Sequence, residues 1–432
     1  MITRRDFLGV SSVALAGTAC QAGASGDAPE LQPVDTTPAP IAALPSMREQ
    51  ATPIPLEERL TRLERARELM RESSHAALFL TGGTSLNYFA NVRWGLSERL
   101  FAVVIPLRGD AFVVCPAFEE ERAREQLAQG PLAASTAVLT WQENEDPYAL
   151  VARGLRERGL TTGRIGVEET VRFVFSNGVA NAAPALEVVS GTPVTAGCRT
   201  IKSENELALM RLASQVTLRA YEAAYRSLQE SMTQADFAGL VSTAHSRLGF
   251  PGGASVQTGE FSALPHGSVM PQTIREGTIL LIDGGCTVEG YQSDISRTFV
   301  LGTPTDRMKE IFDIELRAQT AALQAARPGV PCEDVDAAAR KVIVDAGFGP
   351  GYTYFTHRVG HGIGMDGHEW PYLVQGNTLP LAAGMTFSDE PGIYIRGEFG
   401  VRLEDDMVIT EGGAELMTPQ SPSLESPFGP MT

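Results

Sequence analysis

Apolar and polar positions along the chain predict two folded regions, of which the first is an α/β domain over residues 56–196. Its opening segment, LEERLTRLERARELMRES, carries apolar side chains at helical spacing: Leu60, Leu63, Ala66 and Met70. The run AALFLT then reads as a buried strand, and FAVVIPLRGDAFVVCP predicts a β-hairpin around an Arg-Gly-Asp turn. Further predicted strands, and a predicted helix near residues 148–158, continue this alternation of strands and helices. The region contains no chemically specific motif, which favours a regulatory, dimerising or substrate-gating role.

A second domain is predicted over residues 200–420. Ser203, followed three residues later by Glu206, forms a capping-box pattern ahead of a long helical stretch. Five of the chain's six histidines lie in this region, and only His75 precedes it. No short-period repeat is visible, which argues against solenoids and propellers. The position of the histidines thus places the candidate chemistry in the second domain.

The first 55 residues lack periodic patterning. Residues 1–20 combine Arg4 and Arg5 with a short apolar run, which is typical of a twin-arginine export signal. The run is too short to span a bilayer, because about 20 apolar residues are needed. Residues 21–55 are rich in proline and alanine and are predicted to be a linker without a fold. We therefore expect an exported protein, periplasmic or lipid-anchored at the cell envelope through Cys20; a buried N-terminal helix is the alternative.

Composition narrows the expected partners. The chain is 43% apolar and 20% charged, with a net charge of -17 and no basic run, which argues against nucleic acid or an anionic membrane as a partner. The four cysteines beyond residue 20 are scattered, without a CxxC pair or a disulfide framework: Cys115, Cys198, Cys286 and Cys332. Small molecules or peptides are the expected partners.

Two aspartates stand out in the segment LIDGGCTVEGYQSDISRTF. If a β-hairpin is centred between Val288 and Glu289, Asp283 and Asp294 lie directly opposite one another, with Cβ atoms about 5 Å apart. Two bare carboxylates at that separation repel. Either shared protons or bound cations must compensate them.

A second segment, EPGIYIRGEFGVRLED, repeats this arrangement. Glu390 and Glu404 are spaced symmetrically about Gly397 and are predicted to lie opposite one another across a hairpin. Between the two acidic segments lies a glycine-rich loop with three histidines: His357, His361 and His368. Each acid taken alone reads equally well as a turn residue or a solvated strand residue. Together, four carboxylates and an imidazole predict a site for two divalent ions such as Mn, Co or Zn.

The order of four motifs, LIDGGCTVEGYQSDISRT, HRVGHGIGMDGHE, DEPGIYI and GVRLEDD, resembles the pita-bread metallopeptidases. Within them it is most similar to the proline-specific branch, the Xaa-Pro aminopeptidases and the Xaa-Pro dipeptidases (prolidases). The resemblance is strong over residues 200–418 and loose before that. It implies an α+β architecture with a C-terminal pita-bread catalytic domain, like those of methionine aminopeptidase and creatinase, preceded by a smaller creatinase-type α/β domain.

The resemblance also implies a ligand set. Asp283 and Asp294 would bind the first metal, Asp294 and Glu404 would bridge to the second, and His361 and Glu390 would complete the ligands of the second metal. All five positions carry the expected residue type. This argues against relatives that dispense with metal.

Other positions are implied to face the substrate. His266 and His368 match substrate-side histidines, although a solvated loop histidine is the alternative for each, and His357 matches a structural position. Arg402 should point toward the site by strand alternation. It would bind a substrate carboxylate, or form a structural ion pair with Glu404 or Asp406.

One residue departs from the family pattern. Asp389 occupies a position that is usually apolar. Strand alternation turns its side chain away from Glu390, so it is not expected to be a ligand.

The implied activity is hydrolysis of Xaa-Pro bonds in short peptides. Two cations would lower the pKa of a bridging water, and the resulting hydroxide would attack the scissile carbonyl. Glu390 would act as general base, His368 would stabilise the oxyanion, and His266 would orient the substrate or donate a proton. Aminopeptidase and strict dipeptidase activity both remain open.

Two other functions remain open on the same residues. One is a related hydrolase that acts on a non-peptide amide or a modified amino acid. The other is a non-catalytic exported binding protein. The family resemblance further implies a homodimer.

Overall fold

The computed structural model describes residues 37–132 and 135–429. The predicted export signal, Cys20 and the first part of the predicted linker lie outside these residues. Among the described helices, none is both long enough and apolar enough to cross a membrane. From Pro38 onwards the chain forms one compact unit.

Residues 38–55 fold against the second half of the chain, so the prediction of a linker without a fold is wrong for this part. The short helix α1 (Ala39–Ala42) and the following turn bury Ile41 and Met47. The Met47 amide donates a hydrogen bond to the Leu248 carbonyl at 2.8 Å. The apolar residues here lie among prolines and show no helical or strand periodicity, so the sequence pattern did not predict that they are buried.

The first domain is built on a six-stranded mixed sheet in the order β4-β3-β2-β1-β5-β6. Its strands are β1 (Ala77–Thr81), β2 (Ala102–Pro106), β3 (Phe112–Pro116), β4 (Ala137–Trp141), β5 (Gly163–Val167) and β6 (Leu186–Ser190). Its helices are α2 (Leu56–Glu72), α3 (Thr84–Ala90), α4 (Glu120–Leu127), α5 (Pro147–Glu157), α6 (Phe173–Ala182) and α7 (Thr192–Arg199), with a 3-10 helix at Ala117–Glu119.

Burial of this sheet on both faces explains its continuous apolar strands. In β1, Leu78 and Leu80 join one hydrophobic core, whereas Ala77 and Phe79 join the core on the opposite face. The predicted hairpin is confirmed, because β2 and β3 pair antiparallel. Helix α7 packs on α2 and carries the domain slightly beyond residue 196.

The second domain contains two larger sheets and a short hairpin. Its helices are α8 (Glu204–Tyr225), α9 (Gln234–Leu248), α10 (Asp306–Ala325) and α11 (Cys332–Asp345). Its strands are β7 (Gly252–Thr258), β8 (Ile279–Val288), β9 (Tyr291–Gln292), β10 (Ile295–Val300), β11 (Gly360–Gly362), β12 (Glu369–Leu373), β13 (Thr386–Asp389), β14 (Gly392–Ile395), β15 (Phe399–Arg402), β16 (Asp405–Thr410) and β17 (Gly413–Leu416). The sheets are β10-β8-β7 with β9 paired to β8, β12-β11-β13-β16-β17, and β14-β15.

Each larger sheet packs on its own pair of helices. Helices α8 and α9 share a core with β7, β8 and β10, and α10 and α11 share a core with β13 and β16. The predicted capping box at Ser203 and Glu206 begins α8. All four cysteines of the described residues are buried and unpaired, as expected. The two sheets meet where β10 lies beside β15 and β16.

A buried ion-pair network fastens the first domain to the second. Arg199, at the end of α7, and Lys202 both donate to the carboxylate of Glu369 at the start of β12. Arg199 also reaches Asp366 at 2.6 Å. Glu369 follows His368 directly, so this network fixes the loop that carries a predicted site residue.

Candidate active site

The first acidic pair lies on β8 and the start of β10. Asp283 pairs with Ser296 and not with Asp294, because the turn is formed by Glu289 and Gly290, with φ of 51° and 94°. The predicted register is therefore wrong by two residues. A shift of two residues keeps every side chain on the same face. Asp283 and Asp294 still converge, with ligand atoms within 4.8 Å of one another.

The second acidic pair joins the neighbouring sheet. The ladders β13–β16 and β14–β15 share one register, which sets Glu390 opposite Glu404 and confirms the prediction from their spacing about Gly397. The Glu404 amide donates to the Ser296 carbonyl at 3.3 Å. This bond ties the second hairpin to the strand that follows Asp294.

His361 enters between the two hairpins on β11, a strand of sequence Gly-His-Gly. A Cβ on Gly360 would lie 2.0 Å from the Ser388 carbonyl oxygen, so only glycine lets the strand approach this closely. The His361 Nδ1 lies 3.1 Å from the Gly362 carbonyl, which directs Nε2 into the site. Nε2 lies 3.2 Å from Glu390.

The structure brings the five predicted ligands together. Three overlapping groups have all their ligand atoms within 4.8 Å: Asp283, Asp294 and Glu404; His361, Glu390 and Glu404; Asp294, His361 and His368. Asp294, Glu404 and His361 each belong to two groups, and of these only the two carboxylates have a pair of oxygens with which to bridge two ions. An oxygen-rich set with imidazole suits two divalent ions such as Mn, Co or Zn, so the residues fit the implied metals.

The electrostatics of these residues show why cations suit the site. Burial and the neighbouring acids raise the pKa of Asp294 and of Glu404 well above the usual range. Burial acts in the same direction on Glu390, but the hydrogen bond with His361 and the positive charges of His361, His357 and Arg402 together outweigh it and lower the pKa of Glu390 to about 2. The same bond raises the pKa of His361 against the effect of burial. Without cations, the anions are therefore compensated by protons.

Arg402 uses its guanidinium to hold the site together. It contacts Asp283 at 2.7 Å, and its Nε donates to the Ser296 hydroxyl at 2.8 Å. Its Nη1 donates to the Pro265 carbonyl and to the Tyr394 hydroxyl, each at 3.0 Å. These contacts favour a structural ion pair over direct binding of a substrate carboxylate, but its close partner is Asp283, and the predicted partner Glu404 lies 3.9 Å away.

All predicted site residues line one cavity of about 190 Å³. His266 reaches it from an exposed loop that follows the 3-10 helix at Gly259–Ala263. His368 stacks on His361 with ring centroids 3.6 Å apart. Desolvation, followed by the charge of His361, lowers the pKa of His368 to about 4, so its ring is neutral near pH 7. His357 bonds the Tyr394 hydroxyl at 2.8 Å, which agrees with a structural position.

Two aspartates beside the ligands are not part of the ligand set. Asp389 is fully buried on the opposite strand face from Glu390, as predicted, and its carboxylate accepts no hydrogen bond among the described residues. Burial raises its pKa well above the usual range, so it is held neutral. Asp406, considered as a partner of Arg402, instead accepts hydrogen bonds from Ser214 and the Asp294 amide, each at 3.1 Å.

Sequence reasoning missed three residues of the site. The Ser296 hydroxyl lies 2.6 Å from a Glu404 oxygen and 2.9 Å from an Asp283 oxygen and can donate to either one, Tyr394 links His357 to Arg402, and Arg358 lines the cavity. Strand alternation would have pointed to Ser296, two residues after Asp294 on the same face. Nothing in the sequence pattern indicated Arg358, because a single arginine in a glycine-rich loop forms no periodic or spaced motif.

Comparison with known proteins agrees with this geometry. Residues 208–411 match Metallopeptidase family M24, and residues 62–201 match the Creatinase/Prolidase N-terminal domain. A probable dipeptidase PepE of Mycobacterium bovis is 36% identical over 82% of this chain and 92% of its own length. The chain belongs to metallopeptidase family M24. The α+β pita-bread catalytic domain with a creatinase-type domain before it is thereby confirmed.

Two further relatives align with this chain over nearly the whole of their own length. An Xaa-Pro dipeptidase of Lactobacillus delbrueckii subsp. lactis is 33% identical over 84% of this chain and 98% of its own. The crystal structure of dipeptidase PepE from Mycobacterium ulcerans superposes with a TM-score of 0.80, at 34% identity, over 87% of this chain and 99% of that one. The protein is accordingly a metallopeptidase, and its cavity contains acidic and histidine groups that could bind divalent metals.

Proposed function

We propose that the protein is an exopeptidase that depends on two metal ions and hydrolyses Xaa-Pro bonds in short peptides. The single observation that carries this is the convergence of four carboxylates and His361 in one cavity, with every predicted ligand present. Choice of the Xaa-Pro bond is supported by the Xaa-Pro dipeptidase among its relatives.

The residues of the cavity suggest how the reaction is arranged. When bound, two divalent ions would supply Lewis acidity that activates water and polarises a carbonyl. Glu390 is placed to accept a proton, since its carboxylate is ionised and paired with His361. A neutral His368 can donate one N–H to the substrate carbonyl oxygen. His266, on its exposed loop, can orient the peptide or return the proton to the leaving nitrogen.

Metal removal tests this function directly. Protein stripped with chelator should lose hydrolysis of an Xaa-Pro dipeptide and regain it when Mn, Co or Zn is added singly, which also identifies the preferred ion. A Xaa-Leu dipeptide serves as the substrate control. Full activity of the stripped protein, or no turnover of Xaa-Pro peptides with metal fully loaded, would refute the proposal.

We also propose export by the twin-arginine route, with Arg4 and Arg5 as the signal. This route carries folded proteins and suits an enzyme that acquires its metals before export. Replacing both arginines by lysine should leave precursor in the cytoplasm, and unaffected export would refute the signal. Lipidation of Cys20 predicts that Cys20→Ser releases the exported protein from the membrane fraction.

A homodimer is proposed from the resemblance to the family. Light scattering of the purified protein should give twice the mass of the chain at micromolar concentration. The mass of a single chain at that concentration would contradict it.

A further inference from the structure

A second cleft adjoins the catalytic cavity and lies between the two domains. Its volume is about 380 Å³, and it shares His368 with the cavity. The first domain contributes the start of α3, the segment after β5 and the end of α7, and the second domain contributes the segment 366–370. None of the five predicted metal ligands lines this cleft. Its polar groups are therefore not explained by metal binding.

Two buried polar side chains of the cleft lack a hydrogen-bond partner. Glu168, directly after β5, is 6% exposed, and its Oε1 is unpaired among the described residues. Ser85, on α3, is fully buried, and its hydroxyl is likewise unpaired within that part of the chain. Burial raises the pKa of Glu168 above its usual range, although the nearby Ser85 hydroxyl and the charge of Arg199 act in the opposite direction. A ligand that donates hydrogen bonds would relieve the cost of leaving these groups unpaired.

The charges of the cleft leave it negative. Four charged groups in or beside it pair with one another and have no net charge: Arg199, Lys202, Asp366 and Glu369. Glu168 and the exposed Glu169 form no ion pair within residues 37–132 and 135–429. The cleft therefore carries an excess of up to two negative charges, which favours a cationic ligand.

The catalytic cavity, on the other side of His368, would not attract a cation once metals are bound. Two divalent ions would balance its four carboxylates, and the guanidinium groups of Arg402 and Arg358 add positive charge there. The ring of His368 is neutral near pH 7. A cationic group beside His368 would thus be repelled by the loaded cavity and attracted to the cleft.

A substrate side chain can reach the cleft from the cavity. In the proposed function, His368 donates to the scissile carbonyl oxygen, and that carbonyl belongs to the residue Xaa. The Xaa side chain begins two bonds from the carbonyl carbon, so a long side chain can extend past His368. Leu96 and Trp370 line the cleft and are exposed. Their apolar surfaces suit the methylene stem of a lysine or arginine.

We infer that the cleft binds a cationic Xaa side chain, with Glu168 as its counter-ion, so that the enzyme prefers Lys-Pro and Arg-Pro. This rests on the proposed Xaa-Pro exopeptidase function. An ammonium group has three donors and can bond Glu168 and Ser85 together. Hydrogen bonds between charged partners are roughly twice as strong as those between neutral ones. Glu168 is thus a specificity residue for the side chain of Xaa.

The test compares Lys-Pro with norleucine-Pro, which has the lysine stem without the ammonium group. Wild type should favour Lys-Pro by about 10- to 100-fold in kcat/KM, mainly through KM. Glu168→Gln keeps the shape but removes the charge, and it should lower this ratio by about 10-fold or more. Ser85→Ala should lower it by a smaller factor, and it keeps the test available if Glu168→Gln does not fold. The matched control is Glu121→Gln, at an exposed position on α4, which should keep the wild-type ratio.

Two outcomes would overturn the inference. One is a wild-type ratio near one. The other is an equal loss on both substrates in Glu168→Gln, because both carry the free α-ammonium group and equal losses would assign the cleft to that group.

Binding provides a readout independent of turnover. Calorimetry on the metal-loaded protein would use reduced-bond analogues of both dipeptides, in which CH2 replaces the scissile carbonyl. Tighter binding of the lysine analogue by wild type, lost in Glu168→Gln, supports the inference, and equal affinities overturn it. Wild-type protein that binds the lysine analogue more tightly but cleaves no Xaa-Pro peptide would refute the proposed function and still support the role of the cleft. Equal turnover of both dipeptides would do the reverse.

Discussion

Glu404→Gln should make the metal-free protein more stable and the metal-loaded protein less so. The side chain of Glu404 is almost fully buried, and its ligand atom lies within 4.8 Å of those of Asp283 and Asp294. Burial and the neighbouring acids raise the pKa of Glu404, so the group is protonated in the folded metal-free protein but ionised in the unfolded chain above about pH 4.3. Folding near pH 7 must therefore take up a proton, at a cost of about 3 kcal/mol. Glutamine has the same shape, can still accept the Ser296 hydrogen bond and needs no proton, so it should stabilise the metal-free protein by about that amount.

Bound metal should make wild type more stable than Glu404→Gln. Wild type is expected to gain about 4 kcal/mol per ion at a free metal concentration 1,000-fold above Kd, whereas the variant lacks a bridging carboxylate and gains less. Urea unfolding with chelator and with saturating Mn measures both effects, and Glu411→Gln, at an exposed position, is the matched control. A metal-free Glu404→Gln protein less stable than wild type, or one that gains as much from Mn, would refute the electrostatic reasoning.

Three further substitutions probe the surroundings of the site. Gln257 accepts the hydrogen bond that anchors the His266 loop, so Gln257→Leu should lower kcat/KM for Xaa-Pro while calorimetric metal affinity stays unchanged; weakened metal binding would contradict this. Lys202→Met leaves the buried Glu369 with one cation fewer and should lower the free energy of unfolding by about 3 kcal/mol in urea; an unchanged value would show the pair to be dispensable. Burial lowers the pKa of His245 to about 4, so as the pH falls the unfolded chain binds a proton at this histidine before the folded protein does. The free energy of unfolding should therefore fall by about 3 kcal/mol between about pH 6.5 and pH 4. In urea unfolding at several pH values, His245→Gln should lack this decrease, and the same pH dependence as wild type would refute the assignment to His245.

The ligands could be predicted from the sequence because, in paired strands, the spacing of residues along the chain determines which side chains lie opposite one another. Glu390 and Glu404 were placed opposite one another from symmetry about Gly397, and the shared register of two ladders bears this out. For Asp283 and Asp294 the turn was assigned one residue too early, because glutamate in the left-handed region was not anticipated at a hairpin turn. Side-chain alternation has a period of two, so that error did not move either acid off its face.

Residues outside regular strands were not predictable in the same way. Residues 38–55 were taken as a linker because nothing in their composition shows that Ile41 and Met47 find a buried surface on the second domain. Arg358 carried no signal, because its significance depends on what surrounds it: a cavity, the ring of Tyr372, and the lack of a carboxylate partner among the described residues. These features depend on tertiary structure, and neither secondary-structure propensity nor hydrophobic periodicity predicts them.

The site therefore divides into parts with different physical demands. The predicted metal ligands must hold like charges within a few ångströms, which requires rigid elements, and all five lie on or directly beside paired strands of the two sheets. His266 and Arg358, which line the same cavity, lie outside the regular strands. Loops can change without disturbing the strand registers that position the predicted ligands. Differences in substrate among proteins with this ligand set should accordingly map to such loops, and exchange of the His266 loop should change substrate preference without loss of metal affinity.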